Sequence, residues 1–368
     1  MKKLIFLNVI FLFLVCGEAE KQTQQPLKVI ELTGSAYNRG LIHGKTLKTE
    51  IRQIVNRWSD ITEMIHGLNM DDMKVDYLKK TQFKKSIEKW TPDLLDEING
   101  IADGAGIDRD LIFLLQISEE FEHYTPDSNM FKCTAIGVNK TDDSPTYIAQ
   151  NMEPVHFLQG YPTLLHIKYE KTNLETYIFT FPGFIGLNGL NNKAVGVTVN
   201  GLPDYYHKKD GLPVSCVVRG ILEKTTFEDA VDFLYEIDHA KAQNYIVGGV
   251  DSALGLECDS EEIYIFKAAE NEAITYHTND YLVADYVTKY CSRLATMREE
   301  LEKRNFELEF KDIKDILSSR RYNAGRPICH YNTYGCTIMV ISDEPELHIT
   351  AGRPDENPFQ VFSFGNKN

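Results

Sequence analysis

The chain lacks the excess of positive charge that binding to nucleic acid requires. Its 368 residues include 39 Lys and Arg against 54 Asp and Glu, which gives a formal net charge of −15. Phosphate groups are bound by a basic face, so this composition argues against nucleic acid as a partner. The chain also lacks internal repeats and low-complexity tracts, and 43% of its residues are hydrophobic. We therefore expect one large domain or two smaller ones with a sizeable core.

Beyond its first residues the chain has no apolar run long enough to cross a membrane. Two lysines precede a short apolar run that ends at Val15, and Gly17 and Ala19 are small residues at positions −3 and −1 of a cleavage site. This pattern is typical of a secretory signal peptide. We therefore expect residues 1–19 to be removed and the protein to be exported, either to a periplasm or to the medium. Lipoprotein processing at Cys16 is the alternative, for which Val15 is a poor fit.

Cysteine is scarce, and no spacing of cysteine and histidine matches a standard metal site. An exported compartment permits disulfides, and on spacing alone Cys329 and Cys336 form the favoured pair, with buried free thiols as the alternative. His330 lies between them, but no second cluster of ligands with standard spacing is present, so no metal is expected. Six cysteines follow the predicted signal peptide: Cys133, Cys216, Cys258, Cys291, Cys329 and Cys336.

The centre of the chain is predicted to be a β-hairpin with a cysteine at its open end. A β-prone run (133–138) is followed by turn-forming residues (139–145) and by a second β-prone run (147–153). Turn residues between two such runs indicate an antiparallel pair. The hairpin would bring Cys133, at the start of the first strand, close to the carboxylate of Glu153, at the end of the second.

The two sides of this hairpin are predicted to differ in structure. Apolar residues recur at helical spacing before it, where Gly34 and Ser35 open a helix that is expected to continue past Arg57. Short β-prone runs with paired helices follow the hairpin, and Thr226 with Asp229 forms a candidate capping box for one of these helices. This order favours antiparallel sheets layered with helices.

Five segments, in order along the chain, carry a resemblance to a known family. They are a glycine- and histidine-containing opening (34–44), a helix ahead of the cysteine (92–106), a glycine- and asparagine-rich hairpin (183–200), His277-Thr278-Asn279, and Ser292-Arg293. Together with Cys133, this order resembles the acyl-coenzyme A:6-aminopenicillanic acid acyltransferase-like family of cysteine N-terminal-nucleophile (Ntn) hydrolases, which is related to the choloylglycine hydrolases.

The resemblance implies a fold and a division of the chain. The fold would be α+β, the Ntn-hydrolase αββα four-layer sandwich with a helical N-terminal segment. Residues 20–132 would form that mostly helical segment, as an α chain or a propeptide, and residues 133–368 would form the core, a β chain that starts at the nucleophile. Neither a metal nor an organic cofactor is implied.

Cys133 is the nucleophile that the resemblance implies. In the family the chain is cut before the cysteine, here between Lys132 and Cys133, and the freed α-amino group acts as the base for its own thiol. Such an amine has an ordinary pKa of about 7.7 to 8.0, so no separate histidine is needed. The alternative is that Cys133 is a small buried hydrophobe. The family often has glycine before the cysteine, where this chain has Lys132.

The resemblance also assigns roles to a carboxylate, two asparagines and an arginine. Glu153 would hold the amine of the nucleophile, and Asn279 would donate a hydrogen bond to the oxyanion. Asn200 would be a second asparagine of the site, and Arg293 would support the cysteine or the carboxylate. The alternatives are a solvated loop acid for Glu153 and a turn former for Asn279. For Asn200 the alternative is a plain strand end, and for Arg293 a solvated helix residue.

Aromatic residues after the hairpin form a candidate acyl pocket. Phe157, Tyr161 and Phe184 are the predicted substrate-binding residues, and they would favour an apolar acyl group. Alternating aromatics in strands pack in a core more often than in a pocket, which is the alternative. Four further aromatics share this pattern: Phe179, Phe181, Tyr205 and Tyr206.

The resemblance implies an exported, self-cleaving amide hydrolase or acyltransferase. Cys133 would form an acyl-thioester from a small-molecule substrate with a linear amide bond, and the two cleaved chains would stay associated. A choloylglycine (bile salt) hydrolase-like or penicillin acylase-like amidase is the alternative within enzymes. An uncleaved, non-catalytic binding protein with the same fold is the alternative of another class. The acyl group, the leaving group and the oligomeric state stay open.

Overall fold

The computed structural model describes residues 26–67, 69–120, 132–203, 208–283, 290–322 and 325–365. The predicted signal peptide, residues 121–131 ahead of the predicted cleavage site, and Tyr205 and Tyr206 lie outside these ranges. The helices within them are α1 Ala36–Thr46, α2 Lys48–His66, α3 Met70–Lys80, α4 Phe83–Trp90, α5 Asp93–Ala105, α6 Arg109–Gln116, α7 Val214–Leu222, α8 Phe227–Glu236, α9 Ser292–Glu302 and α10 Phe310–Leu317. The strands are β1 Lys28–Leu32, β2 Thr134–Val138, β3 Thr146–Met152, β4 Thr163–Lys168, β5 Glu175–Thr180, β6 Asn188–Asn191, β7 Gly196–Gly201, β8 Gln243–Gly248, β9 Ala253–Cys258, β10 Ile263–Phe266, β11 Ile274–His277, β12 Gly335–Ile341, β13 Glu346–Ala351 and β14 Gln360–Ser363.

The segment before Cys133 is built around one close helix pair. Helices α1 and α5 are in direct backbone contact because both have glycine where they meet. A Cβ atom on Gly40 would lie 1.9 Å from the carbonyl oxygen of Glu97, and one on Gly100 would lie 2.2 Å from that of Tyr37. Real Cβ atoms do not approach backbone so closely, so only glycine permits this packing.

The first helix ends earlier than the sequence predicts. Ser35 caps α1, and its side chain accepts a hydrogen bond from the backbone N–H of Asn38 at 3.3 Å. The backbone then leaves the helical region at Leu47, and α2 begins at the next residue. The prediction of a single helix through Arg57 is therefore wrong. Leu47 and Ile51 are both buried, so the apolar periodicity continues through the bend and does not reveal it.

Two sheets form the centre of the described structure. Sheet A has eight strands in the order β1-β4-β5-β6-β7-β8-β9-β10, and sheet B has six in the order β11-β2-β3-β12-β13-β14. Strand β1, from the segment before the cysteine, pairs in parallel with β4. The predicted hairpin is confirmed, because β2 and β3 pair antiparallel, with Thr134 opposite Asn151 and Val138 opposite Tyr147.

The two sheets pack face to face, with helices on both outer faces. A Cβ atom on Gly196 of sheet A would touch Ile148 and Met339 of sheet B. Helices α7 and α8 pack on strands β6, β7 and β8 of sheet A, and α10 packs on β3 and β12 of sheet B. Met297 and Leu301 of α9 belong to the hydrophobic cluster that the buried residues of α10 form with sheet B. We call this cluster the outer core on sheet B. The predicted α+β fold, an αββα sandwich with a helical N-terminal segment, is confirmed.

The six described cysteines are free thiols. The predicted pairing of Cys329 with Cys336 is therefore wrong, and the alternative of buried free thiols applies. Cys336 lies in β12 within the outer core on sheet B, whereas the thiol of Cys329 donates to the carboxylate of Asp355 at 3.0 Å. Within the described ranges, no group of three or more His, Cys, Asp or Glu residues is placed to hold a metal ion. No helix in those ranges is long and apolar enough to cross a membrane.

Candidate active site

Cys133 lies immediately before β2 and points between the two sheets. Its side chain is buried, and it shares a strand face with Gly137, whose Cβ atom would touch Ile246 of sheet A. A small cavity adjoins the thiol at this end of the sandwich. Residues from both sheets and from the N-terminal segment line it: Glu119, Cys133, Gln150, Met152, Leu187, Val199, Gly201 and Gln243.

The thiol of Cys133 is neutral in the intact chain. Burial raises its pKa to about 12, although the backbone N–H of Glu153, which donates to the sulfur, and the charge of Arg293 oppose the rise. The negative charges of Glu153 and Glu119 raise this pKa further. A thiol attacks a carbonyl group as the thiolate, so a cysteine with a raised pKa would need a base to act as a nucleophile.

The carboxyl group of Glu153 is buried at the end of β3 and only half satisfied. Its Oε1 accepts a hydrogen bond from the Thr333 hydroxyl at 3.1 Å, whereas Oε2 has no hydrogen-bond partner among the residues that the structure describes. Burial raises the pKa of Glu153 to about 7, against the positive charge of nearby arginines. The backbone N–H of Lys132 donates to the Glu153 carbonyl at 3.0 Å, so the predicted cleavage site lies beside this residue.

Arg293 connects the backbone at Cys133 to the loop after β11. It lies in the first turn of α9 and is buried. Its Nη1 donates to the carbonyl oxygen of Cys133 and, at 2.9 Å, to the hydroxyl of Thr134. Its Nη2 donates to Oδ1 of Asn279 at 2.8 Å. Arg293 therefore fixes the backbone at Cys133 and the side-chain amide of Asn279 relative to one another.

The two predicted asparagines, Asn279 and Asn200, lie near the same end of the sandwich. Asn279 donates through Nδ2 to the carbonyl oxygen of Gly201, a cavity residue, at 2.9 Å. Asn200 shares a strand face with Gly196 and therefore points toward sheet B. Its Oδ1 accepts from Asn244 at 3.5 Å, and its buried Nδ2 has no hydrogen-bond partner among the described residues.

The three predicted substrate-binding aromatics are not among the residues that line the cavity. Phe157 stacks on Trp58 of α2 with ring centroids 6.1 Å apart. The hydroxyl of Tyr161 donates to Gln53, also in α2. Phe184 packs against Phe181 with their centroids 5.5 Å apart. Direct interactions thus connect Cys133 with Glu153 and Arg293, and Arg293 with Asn279. Asn200 lies next to the cavity residues Val199 and Gly201.

Three polar cavity residues carry no local sequence signal for a role in the site. Glu119 comes from the end of the N-terminal segment, and its Oε2 accepts from Nε2 of Gln243 in β8 at 2.9 Å. Gln150 in β3 donates to the Val199 carbonyl and accepts from Asn188 at 2.9 Å. Distant parts of the chain converge here, so only the pairing of the strands identifies these residues.

The chain matches a known family over more than half of its length. The model of the family described as acyl-coenzyme A:6-aminopenicillanic acid acyl-transferase (AAT) matches residues 144–350. The match begins after Cys133 and includes Glu153, Asn200, Asn279 and Arg293.

Two curated relatives align with large parts of the chain. Protein dcd1A of Dictyostelium discoideum is 25% identical over an alignment of 235 residues, and the match covers 56% of this chain and 51% of that protein. The acyl-coenzyme A:6-aminopenicillanic-acid-acyltransferase 40 kDa form of Emericella nidulans is 26% identical over 253 residues, 68% of each chain. The chain thus spans about half the length of the first relative and about two thirds of the second.

Two solved structures match the chain at low sequence identity. A mutant conjugated bile acid hydrolase from Clostridium perfringens matches with a TM-score of 0.37 and 12% identity, covering 63% of this chain and 97% of that one. A penicillin V acylase from Agrobacterium tumefaciens matches with a TM-score of 0.37 and 13% identity, covering 62% and 85%. On the extent of the family match, the chain belongs to the acyl-coenzyme A:6-aminopenicillanic acid acyl-transferase family.

Proposed function

We propose that the protein is an exported, self-cleaving amide hydrolase in which Cys133 is the N-terminal nucleophile. One observation carries this proposal: a buried thiol lies beside a buried, half-satisfied carboxyl group, and Arg293 ties the backbone at that thiol to Asn279. Membership in a family named for an acyltransferase supports acyl chemistry. The substrate class is a small molecule with a linear amide bond.

Self-cleavage would begin at the carbonyl carbon of Lys132. The sulfur of Cys133 bonds to that carbon, the C–N bond between the two residues breaks, and the thiol proton passes to the nitrogen, which becomes the α-amino group. Water then hydrolyses the thioester, so that Lys132 gains a carboxyl group and the sulfur recovers a proton. Glu153 is suited to relay these protons near neutral pH, because burial raises its pKa to about 7.

Turnover would use the new amine as the base. It takes the thiol proton while the sulfur adds to the substrate carbonyl, and it returns the proton to the leaving amine. A side-chain N–H of Asn279 is our candidate donor to the oxyanion. The amine, when charged, would be held by Oε2 of Glu153. Water then hydrolyses the acyl-thioester and restores the thiol.

Water is a better-supported acyl acceptor than an amine substrate. The predicted signal peptide is the ground for placing the protein outside the cytoplasm, where coenzyme A is scarce. Hydrolysis of an amide needs no activated acyl donor. The leaving amine and the acyl group stay open, because the residues that line the cavity do not select one acyl class.

The two chains formed by the cut are expected to stay associated. Strand β1 of the N-terminal segment is hydrogen-bonded along β4 of the core. Glu97 of that segment forms buried ion pairs with Arg219 of the core, with contacts of 2.6 and 3.1 Å. Glu119 of the same segment lines the cavity beside Cys133. Loss of the N-terminal chain would therefore expose core surface and remove one wall of the site.

The test compares wild type with Cys133→Ala by intact mass, N-terminal sequencing and turnover. Wild type should give a chain that begins at Cys133 and should hydrolyse at least one member of a panel of N-acyl amino acids, penicillins and bile-acid conjugates. Cys133→Ala should stay uncut and inactive. Cys258→Ala, which changes another buried strand thiol, should behave as wild type.

Two outcomes would contradict the proposal. Normal cleavage of Cys133→Ala would show that another residue cuts the chain. An intact, inactive chain in both wild type and Lys132→Gly would favour the uncleaved binding protein, because glycine is the residue that the family often has at this position.

A further inference from the structure

The loop that carries Asn279 is anchored by a buried carboxylate on a neighbouring strand. Glu257, near the end of β9, accepts hydrogen bonds from the backbone N–H groups of Leu282 and Val283, the latter at 3.3 Å. Burial alone would raise the pKa of Glu257, but the bonds from His277 and from these backbone groups outweigh it and lower the pKa below its ordinary value. The carboxylate is therefore ionised at neutral pH and closes residues 278–283 into a turn.

His277 adds a second anchor at the start of the same turn. Its Nε2 lies 2.8 Å from Oε1 of Glu257, and its Nδ1 lies 3.1 Å from the carbonyl oxygen of Thr278. A carboxylate can only accept, so Nε2 of His277 donates to Glu257. His277 and Glu257 are both buried, so this hydrogen bond to a carboxylate is shielded from water.

The other contacts of the turn lead to the nucleophile. The Thr278 hydroxyl lies 3.4 Å from the sulfur of Cys291, just before α9. Asn279 is bonded to the Gly201 carbonyl and to Arg293, which in turn holds the Cys133 carbonyl. Movement of the turn would therefore shift both the candidate oxyanion donor and the arginine that fixes the backbone of the nucleophile.

We propose that Glu257, through its hydrogen bonds with His277 and with the backbone of Leu282 and Val283, is a positioning residue that holds the 278–283 turn so that Asn279 and Arg293 are aligned with Cys133. This inference rests on the proposed function. It assigns a role to a residue that contacts neither the substrate nor the reacting atoms. Hydrogen bonds to a charged group are short and directional, so they fix a turn more tightly than neutral ones. Loss of alignment should lower the rate of the chemical step more than substrate binding.

The chain offers a control for this hydrogen-bonded pair of a histidine and a glutamate. His166 and Glu175 form a second pair, with Nε2 and Oε2 2.7 Å apart, between β4 and β5. This pair has no bond to the 278–283 turn. Glu257→Gln and Glu175→Gln therefore make the same chemical change at two places, only one of which leads to the site.

Hydrogen–deuterium exchange of the 278–283 peptide measures the anchor without requiring turnover. Glu257→Gln should speed exchange at Leu282 and Val283 at least 10-fold, whereas Glu175→Gln should leave it unchanged. His277→Gln, which keeps one N–H donor toward Glu257, should show a smaller increase than His277→Ala. Unchanged exchange in folded Glu257→Gln would overturn the inference.

Hydrolysis of penicillin V, used as the amide probe, then tests positioning. Glu257→Gln should lower kcat at least 10-fold with KM within about 2-fold of wild type, and His277→Gln should lower it less than His277→Ala. An equal loss in Glu175→Gln, or a change in KM alone, would overturn the inference. Wild type that cleaves none of the amides of the panel contradicts the proposed function instead, and the exchange data then decide whether Glu257 holds the turn.

Discussion

Two buried glutamates in this protein lie close to arginines and yet have opposite properties. Glu97 of α5 is fully buried between Arg39 and Arg219, and both of its oxygens accept bonds, at 2.6 to 3.1 Å. Burial alone would raise the pKa of Glu97, but the two arginines outweigh it and lower the pKa. Glu153 is buried to a similar extent, and burial raises its pKa to about 7.

The difference comes from the number of direct bonds. Both carboxylate oxygens of Glu97 accept hydrogen bonds from guanidinium groups, and these bonds stabilise its charged form. The charge of Arg293 lowers the pKa of Glu153, but the two side chains form no hydrogen bond among the described contacts. Oε2 of Glu153 has no hydrogen-bond partner among the described residues. A carboxylate that is fully bonded supports the fold, whereas one that is half bonded can exchange a proton near neutral pH.

The largest expected effect is the loss of activity in Glu153→Gln. The amide keeps the size of the side chain but cannot hold a charged amine or relay a proton. We expect turnover and self-cleavage to fall by about 10²- to 10⁴-fold, the usual range for a lost acid–base group. Penicillin V hydrolysis and the rate at which intact chain disappears by mass would measure this. A loss below about 3-fold would show that Glu153 has no part in proton transfer.

Glu97→Gln should instead act on stability. It removes the one partner that two buried arginines share, and breaking a buried pair in this way costs about 3–5 kcal/mol. Urea denaturation should show this decrease in the free energy of unfolding. Asp251→Asn is the control, because it breaks an exposed ion pair with Lys140 (3.0 Å) whose contribution is at most about 1 kcal/mol. Equal losses of stability in Glu97→Gln and Asp251→Asn would show that the buried pair of Glu97 contributes no more than an exposed one. Glu97 would then not be the structural counterpart of Glu153.

The two glutamates should also give stability opposite dependences on pH. The folded-state pKa of Glu153 is raised, so between about pH 4.5 and 7 the folded chain binds more protons than the unfolded chain, and the free energy of unfolding falls as pH rises. Each unit of pKa difference corresponds to about 1.4 kcal/mol, so the full effect approaches roughly 3 kcal/mol. Glu97, whose pKa is lowered, contributes stability that is lost at acid pH.

The measurement needs the uncut chain, because a new amine would change the surroundings of Glu153. Urea denaturation of Cys133→Ala across this pH range should therefore be compared with the double variant that adds Glu153→Gln. The double variant should show a flatter decline between about pH 4.5 and 7. Parallel curves would contradict the raised pKa of Glu153.

Thr333→Val is expected to have the smallest effect and to sharpen the same comparison. The Thr333 hydroxyl donates to Oε1 of Glu153, and this bond lowers the pKa of the carboxyl group. Its loss should raise that pKa further, so the acid limb of the pH–rate profile should move to higher pH. The free energy of unfolding should fall by about 1 kcal/mol. A shift of the limb to lower pH would show that the limb does not report Glu153.

Local signals predicted much of this fold. The turn-forming residues between two β-prone runs identified the β2–β3 hairpin, and Thr226 begins α8 by accepting from the backbone N–H of Asp229 at 3.1 Å. These features depend on residues close in sequence, so a single sequence contains them. The bend at Leu47 was missed because burial continues through it.

The candidate site was predictable only where a family motif marked it. Asn279 and Arg293 were chosen from such motifs, and they bond to each other at 2.8 Å. The sequence does not indicate Glu119, because its partner Gln243 lies more than a hundred residues away. It does not indicate Glu257 either, because His277 lies on another strand, about twenty residues away. An acidic residue beside a polar one has no periodicity that separates a buried ion pair from a solvated surface.

The seam between α1 and α5 has a mechanical consequence for the whole N-terminal segment. With glycine at Gly40, Gly44, Gly100 and Gly104, no side chain separates the two backbones, and the facing helix leaves no room for a Cβ atom at any of the four positions. A methyl group added at any one of these glycines would force the two helices apart. Because the carbonyl group of Glu97 is the one that meets Gly40, that methyl group would also move the carboxylate of Glu97 away from Arg219. A change of one carbon in α1 would then weaken the contact between the N-terminal segment and the core.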